Sequence, residues 1–217
     1  MKFTLPTWLT LLRIVLIPVL VLVFYLPYRW TNFAAVFVFV LAAVTDALDG
    51  WIARRYDLHS AFGAFLDPVA DKLMVAVSLF LIVQGHPTPW MAFWAAVIVG
   101  REIAVSALRE WMAEIGQRAK VKVATIGKIK TIAQMVALGC LLYSVTPQQQ
   151  FDPGAGIWLG KTIFHLGDWL LAVAAVLTLW SGVQYLHAAW PSLRADEQAA
   201  VDSSRKDGRI SRLTPRE

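Results

Sequence analysis

Four aspartates stand at two short spacings in the first third of the chain. Asp46 and Asp49 are three residues apart, and Asp67 and Asp71 are four residues apart. On a helix, either spacing places both carboxylates of a pair on one face. Two helices that offer such pairs to each other form an oxygen-rich site, which suits a hard divalent cation such as Mg²⁺ or Mn²⁺. The spacing supports a metal site, but it does not say which carboxylate could act as a base.

The segments that carry these aspartates are strongly apolar. The chain has 217 residues, of which 58% are hydrophobic and only 16% are charged, and its mean hydropathy is +0.56. Soluble domains carry about 25% charged residues, so the composition indicates a membrane protein. Carboxylates are costly inside a bilayer, and they are therefore interpreted first as a functional site. The single cysteine, Cys140, excludes a disulfide within the chain and suggests no thiolate metal site.

Six apolar segments are long enough to cross a bilayer, which takes about 20 residues each. The sequence thus predicts an all-α polytopic membrane protein with six transmembrane helices in residues 1–190, followed by a polar, cytoplasmic and partly disordered tail at 191–217. A short interfacial helix is predicted near residues 157–164. The first segment is too long for the apolar part of a signal peptide and is interpreted as a retained span. The predicted spans are residues 6–26, 32–53, 60–83, 90–111, 123–145 and 167–189.

Positive charge is unevenly distributed between the two sets of helix ends. One set, together with the tail, holds twelve Lys and Arg residues, whereas the opposite set holds only Arg29 and Lys161. The positive-inside rule then predicts that both termini and all four aspartates lie on the cytoplasmic side. The net charge of +5 suits an anionic leaflet. Acidic residues interleave with the cations of the tail, which argues against a nucleic-acid partner.

The aspartates belong to a longer pattern, D-x2-D-G-x2-A-R-x8-G-x3-D-x3-D, which begins at Asp46 and ends at Asp71. Every defined position of this pattern resembles the signature of the CDP-alcohol phosphatidyltransferase family. The resemblance implies one or two Mg²⁺ or Mn²⁺ ions that neutralise the carboxylates and polarise a phosphorus atom of CDP-diacylglycerol. It also implies a role for each position: metal ligation by Asp46, Asp49, Asp67 and Asp71, general-base catalysis by Asp71, phosphate binding by Arg54, and room for the nucleotide at Gly50, Ala53 and Gly63.

Four further cations lie in or beside the later apolar segments, namely Arg101, Arg109, Lys128 and Lys130. The two arginines are eight residues apart, so both can border one pocket of a helix bundle. The two lysines cannot share a face of a straight helix, and which of them contacts a substrate stays open. The positive excess favours an anionic acceptor such as a sugar-alcohol phosphate. The alternative is an internal lattice of salt bridges with neighbouring glutamates.

Three stretches, at residues 5–13, 101–114 and 127–135, are similar to the bacterial family members that use sn-glycerol 3-phosphate as acceptor. This likeness extends over residues 3–190. It implies transfer of a phosphatidyl group from CDP-diacylglycerol to glycerol 3-phosphate with release of CMP, in a homodimer of the bacterial inner membrane. It further implies that the four cations hold the acceptor phosphate and that Thr10 and Arg13 help to close the nucleotide end.

Other functions remain open at this stage. A sibling transferase could use serine, inositol phosphate or phosphatidylglycerol as its acceptor. A divalent-cation transporter or a proton relay would also place carboxylates in membrane helices, although the Gly, Ala and Arg positions of the pattern have no role in either. A structural membrane protein would show no activity at all.

Overall fold

The computed structural model describes residues 5–28, 30–56, 60–115, 125–145 and 157–210, and all regular structure in these ranges is helical. The predicted all-α fold is therefore confirmed, and each predicted span corresponds to one helix. The helices are α1 (Leu5–Phe24), α2 (Thr31–Tyr56), α3 (Ala61–Gly85), α4 (Pro89–Glu114), α5 (Thr125–Val145) and α6 (Ile157–Ile210).

Two of the helix starts follow from local sequence. Ser60 precedes α3, and its side-chain oxygen accepts a hydrogen bond from the Gly63 N–H at 2.9 Å. Thr88 precedes α4 and accepts from the Met91 N–H at 3.2 Å, while Pro89 occupies the first turn. Both arrangements satisfy an N–H group that has no partner within the helix. The cap at Ser60 thereby sets the start of α3, at Ala61, six residues before Asp67.

Several helices are long and apolar enough to cross a membrane, which fits a multi-pass membrane protein. Within the described residues these are Leu5–Phe24, Thr31–Ala53, Pro89–Glu114 and Gly160–Pro191. The first half of α3 carries Asp67, Asp71 and Lys72, which interrupt its apolar run. The described apolar part of α5 is the shorter segment Lys130–Val145. The count of six spans stays a prediction.

The last helix is longer than the sequence suggested. It runs without a break from Ile157 to Ile210 and contains Pro191. The predicted interfacial helix at 157–164 is therefore the first part of α6, and the backbone of residues 191–210 is helical where partial disorder was expected. Between Pro191 and Gly208 the sequence holds no glycine or proline, and its residues are mostly good helix formers. The division of the chain at residue 190 stays a prediction.

Contacts between helices define the two ends of the bundle. At one end, Thr7 of α1 lies 2.7 Å, Oγ1 to Oγ, from Ser60 at the start of α3. At the other end, Tyr25, which directly follows α1, contacts Gln84 at the end of α3. The ring centres of His86 and Phe164 lie 4.7 Å apart at this end as well. We call the first end the Ser60 end. A buried apolar core separates the two ends and includes Leu20, Leu79, Ile82, Leu138 and Leu141.

Candidate active site

A buried arginine joins three of the four aspartates at the Ser60 end. Arg13 of α1 is 1% exposed, and its Nη1 lies 2.7 Å from an oxygen of Asp46 and 2.7 Å from an oxygen of Asp71. Its Nη2 forms an ion pair with Asp49. The planar guanidinium can donate several hydrogen bonds in fixed directions, so one side chain can connect carboxylates from α2 and α3.

The fourth aspartate is held by the same face of α1. Thr10 lies one turn before Arg13, and its hydroxyl lies 2.5 Å from an oxygen of Asp67 and 3.1 Å from the Pro6 carbonyl oxygen. Residues three apart share a helix face, which explains why Thr10 and Arg13 reach the same cluster. We call the four aspartates with Thr10 and Arg13 the aspartate cluster. The structure thus brings all four predicted carboxylates to one place.

The four carboxylates differ in their access to solvent. The side chain of Asp49 is 3% exposed, whereas those of Asp46 and Asp71 are 43% and 54% exposed. The buried carboxylate is therefore enclosed by protein, and the two exposed ones face outward from the bundle. A molecule that approaches the cluster from outside would first meet Asp46 and Asp71.

The motif also contains the predicted nucleotide-binding residues Gly50, Ala53, Arg54 and Gly63. A methyl group on Gly63 would lie 2.9 Å from the Ser60 Oγ and 3.2 Å from the Thr7 Oγ1. Close packing therefore favours glycine at position 63, because a side chain there would disturb the contact between α1 and α3. Gly50 and Ala53 are half-buried on α2. The side chain of Arg54 lies outside the described residues, so the predicted nucleotide contacts stay predictions.

A second polar group, formed by α4 and α5, contains two of the predicted acceptor residues. Lys130 of α5 is buried, and its Nζ lies 2.5 Å from a carboxylate oxygen of Glu102 on α4. Arg101 lies 3.4 Å from the same oxygen and also donates a hydrogen bond to Ser181 of α6. The two cations therefore share one counter-charge.

Arg109 joins this group through the last helix. Its Nη2 donates to the Tyr185 hydroxyl at 2.9 Å, and its guanidinium carbon lies 4.9 Å from the centre of the same ring. The Arg101 guanidinium lies 5.8 Å from that ring centre. A single aromatic ring therefore contacts both arginines, and their role in one acceptor site stays a prediction. The cationic cluster consists of Arg101, Glu102, Arg109, Lys130, Ser181 and Tyr185.

Both clusters lie at the Ser60 end. The last part of α5 packs against the first part of α6 at the opposite end, where Gly167 approaches Cys140 and Leu141. The first turns of α5, with Lys130, are therefore at the Ser60 end, and Glu102 and Ser181 lie there with it. The side chain of Lys128 is outside the described part of the chain, so which of the two lysines contacts a substrate stays open.

Ser181 and Tyr185 were not found from the sequence. They lie four residues apart on α6, within a long apolar segment, and this spacing places them on one helix face. Paired polar groups in such a segment are a usable signal, but their partners are 76 and 80 residues away. Arg13 and Thr10 were expected at the nucleotide end, whereas their observed contacts are with the aspartates themselves.

Comparison with known proteins identifies the family of this chain. The sequence profile described as CDP-alcohol phosphatidyltransferase matches residues 3–180. The chain belongs to this family. It is also 51% identical over 189 residues to proteins named CDP-diacylglycerol–glycerol-3-phosphate 3-phosphatidyltransferase from Escherichia coli (strain K12) and Shigella flexneri serotype 5b (strain 8401). The match covers 87% of this chain and 96% of each relative. The resemblance inferred from the motif is thereby confirmed.

Members of the CDP-alcohol phosphatidyltransferase family generally depend on a metal ion. The donor set of the aspartate cluster fits a hard cation, because it holds four carboxylates and only one guanidinium, which pairs with three of them. Among the described residues, however, no three acidic, histidine or cysteine side chains surround a common point as metal ligands would. In the structure, oxygens of Asp46, Asp49 and Asp71 pair with Arg13 instead.

Proposed function

We propose that this protein transfers the phosphatidyl group of CDP-diacylglycerol to sn-glycerol 3-phosphate and releases CMP, as a step of phospholipid synthesis. The observation that carries this proposal is the presence of two clusters of opposite charge at one end of the bundle. The aspartate cluster suits a metal-bound pyrophosphate, and the cationic cluster suits an anionic acceptor. The printed name of the relatives, which match over most of the chain, supports the same reaction.

Charge and exposure support the roles that we propose for the aspartates. Asp46, Asp49, Asp67 and Asp71 would hold one or two Mg²⁺ or Mn²⁺ ions, which when bound would neutralise the donor pyrophosphate and polarise its phosphorus. Asp71 is the proposed general base, and its exposure of 54% supports access for the acceptor hydroxyl. Asp49 is nearly buried, so a ligand role suits it better than proton transfer to a substrate.

The bond changes of the proposed step are simple. The primary hydroxyl oxygen of glycerol 3-phosphate forms a bond to the phosphorus that bears the diacylglycerol, and its proton passes to the Asp71 carboxylate. The bond from that phosphorus to the bridging oxygen of the pyrophosphate breaks, and CMP leaves with the electron pair. Arg54 would pair with a phosphate group of the nucleotide. Gly50, Ala53 and Gly63 would leave space for the nucleotide.

The acceptor phosphate would be held by Arg101, Arg109 and Lys130, with Lys128 as a further candidate. Arg101 and Lys130 share the single carboxylate of Glu102, and Arg109 contacts the neutral side chain of Tyr185, which leaves positive charge for an anion. Arginine side chains suit phosphate because their planar donors can pair with two oxygens. Serine as acceptor, which carries no net charge, would leave this excess without a partner.

We further propose a cellular location and an oligomeric state for this protein. The protein would lie in the bacterial inner membrane with both termini and both clusters on the cytoplasmic side, in a homodimer and within six spans. The positive-inside distribution supports this orientation, because Arg55 follows the aspartates of α2 whereas Lys161 begins α6 at the opposite end. Residues 191–217 would form a polar cytoplasmic tail. Membrane lipids and the two substrates are its proposed partners, with no nucleic acid.

A panel of acceptors tests the reaction. The purified protein would receive CDP-diacylglycerol, Mg²⁺ or Mn²⁺, and one acceptor at a time: glycerol 3-phosphate, serine, inositol phosphate or phosphatidylglycerol. The expected result is CMP release that depends on glycerol 3-phosphate. Release with serine but not with glycerol 3-phosphate would overturn the acceptor assignment, and no release with any acceptor would overturn the transferase assignment.

A further inference from the structure

Arg13 is the most enclosed charged side chain of the aspartate cluster. It is 1% exposed and contacts Asp46, Asp49 and Asp71 through its two terminal nitrogens. A buried charge is tolerated only when it is paired and hydrogen-bonded, and here the three carboxylates supply that pairing. Arg13 in turn reduces the repulsion between carboxylates on α2 and α3. Arg13 therefore holds together the carboxylates that are the proposed ligands of the metal ion.

The contacts of Arg13 oppose metal binding to the same oxygens. A carboxylate oxygen 2.7 Å from a guanidinium nitrogen has part of its charge neutralised, and a divalent cation beside the guanidinium would be repelled by it. The Nε–H of Arg13 is buried and has no hydrogen-bond partner among the described residues. The side chain is thus not fully satisfied where it lies, which lowers the cost of moving it.

We propose that Arg13 is an internal counter-ion that competes with the divalent cation for the aspartate cluster. Arg13 gives up at least one carboxylate when the cation binds, and its guanidinium then becomes available to an anion. This inference rests on the proposed function, because it takes the aspartates to be metal ligands. It assigns Arg13 a positioning role in cation binding, rather than only a role in closing the nucleotide end.

Direct measurement of Mn²⁺ binding tests the competition without any turnover. The free Mn²⁺ signal in electron paramagnetic resonance gives the dissociation constant for the full-length protein in detergent. Arg13→Gln keeps hydrogen-bonding groups and removes the charge, so it is expected to bind Mn²⁺ about tenfold more tightly, or more, since a like charge has left the site. Arg13→Lys keeps the charge but loses the planar donors, and an affinity between those of wild type and Arg13→Gln is expected.

Thermal unfolding gives a second readout. In EDTA, Arg13→Gln is expected to unfold at a lower temperature than wild type, because the carboxylates lose their counter-charge. Saturating Mn²⁺ should close most of this gap, since the ion takes over the same role. Leu16→Ala is the matched control: Leu16 is buried on α1 one turn after Arg13 and makes no polar contact. It should lower the unfolding temperature with and without Mn²⁺ and leave Mn²⁺ affinity unchanged.

The outcomes separate this inference from the proposed function. Unchanged or weaker Mn²⁺ binding by Arg13→Gln would overturn the competition. If Arg13→Gln does not fold, the same result with Arg13→Lys would overturn it. The competition is also overturned if a folded variant shows no rise of its unfolding temperature toward that of wild type in saturating Mn²⁺. The proposed metal site itself would fail on a different result, namely Mn²⁺ binding of wild-type strength in Asp67→Asn.

Discussion

The aspartate cluster and the cationic cluster are built on the same plan with opposite signs. In the first, Arg13 pairs with three carboxylates, and in the second, Glu102 pairs with two cations, Arg101 and Lys130. Three helices supply each cluster, α1 to α3 in one and α4 to α6 in the other. One half of the bundle thus offers excess negative charge and the other half excess positive charge.

The two counter-charges differ in how they are placed. Arg13 is 1% exposed and comes from a different helix than the carboxylates it joins. Glu102 is 29% exposed and lies beside Arg101 on α4. In the aspartate cluster the counter-charge is therefore enclosed, while the carboxylates of Asp46 and Asp71 reach the surface. In the cationic cluster the counter-charge is partly exposed, while the cations Arg101 and Lys130 are mostly buried.

The largest effect is expected from a variant that changes the aspartate cluster alone. Asp71→Asn should reduce CMP release by about 10²–10⁴-fold, because the variant cannot accept the proton of the acceptor hydroxyl. The KM for glycerol 3-phosphate should change little, since the cationic cluster is intact. Glu114→Gln, which removes an exposed carboxylate at the end of α4, is the control and should retain wild-type kcat. Full activity in Asp71→Asn would remove the catalytic assignment.

The next largest effect is expected from a variant that changes the cationic cluster alone. Arg109→Gln should raise the KM for glycerol 3-phosphate by about ten- to a hundredfold, the usual loss for a hydrogen bond to a charged group. The KM for CDP-diacylglycerol should stay near that of wild type. Steady-state kinetics with each substrate varied in turn measures both constants. An equal rise in the two values would show that the clusters do not act on separate substrates.

A glycine in each half tests which cluster is packed more tightly. Gly63→Ala should destabilise the protein by about 1–3 kcal/mol, because its methyl group would press on the hydroxyls of Thr7 and Ser60. Gly182→Ala would place a methyl group 3.4 Å from Cγ of Arg101, which is ordinary contact with a flexible side chain. Thermal unfolding in detergent should therefore separate the two variants.

Gly100→Ala provides a reference for the glycine pair, since a methyl group there meets no atom within 4 Å. It should be neutral or slightly stabilising, because alanine favours the helix. Equal unfolding temperatures for Gly63→Ala and Gly100→Ala would contradict the tight contact between α1 and α3.

The smallest effect concerns the aromatic ring of the cationic cluster. Tyr185→Phe removes the hydroxyl that accepts from Arg109 but keeps the ring near both arginines. The expected result is a rise of a few-fold in the KM for glycerol 3-phosphate, in line with one modest hydrogen bond. Tyr185→Leu removes the ring as well and should give a larger rise. If Tyr185→Leu has wild-type kinetics, α6 has no part in the acceptor site.

Residues close in the chain could be predicted well. Asp46 with Asp49, and Asp67 with Asp71, share helix faces because of helical periodicity, which needs no knowledge of the fold. The six helices followed from apolar length for the same reason. The continuous α6 was missed because Pro191 and a polar composition both suggested an end to regular structure.

The sequence by itself determined an all-helical membrane protein, its family and the two sets of charged residues, because these depend on local pattern and composition. Only the tertiary structure decided which charges meet. Arg13 reaches Asp49 and Asp71 across 36 and 58 residues, and Arg101 reaches Ser181 across 80. Such contacts depend on how helices are rotated and packed against one another, and helical periodicity within one segment does not specify that rotation.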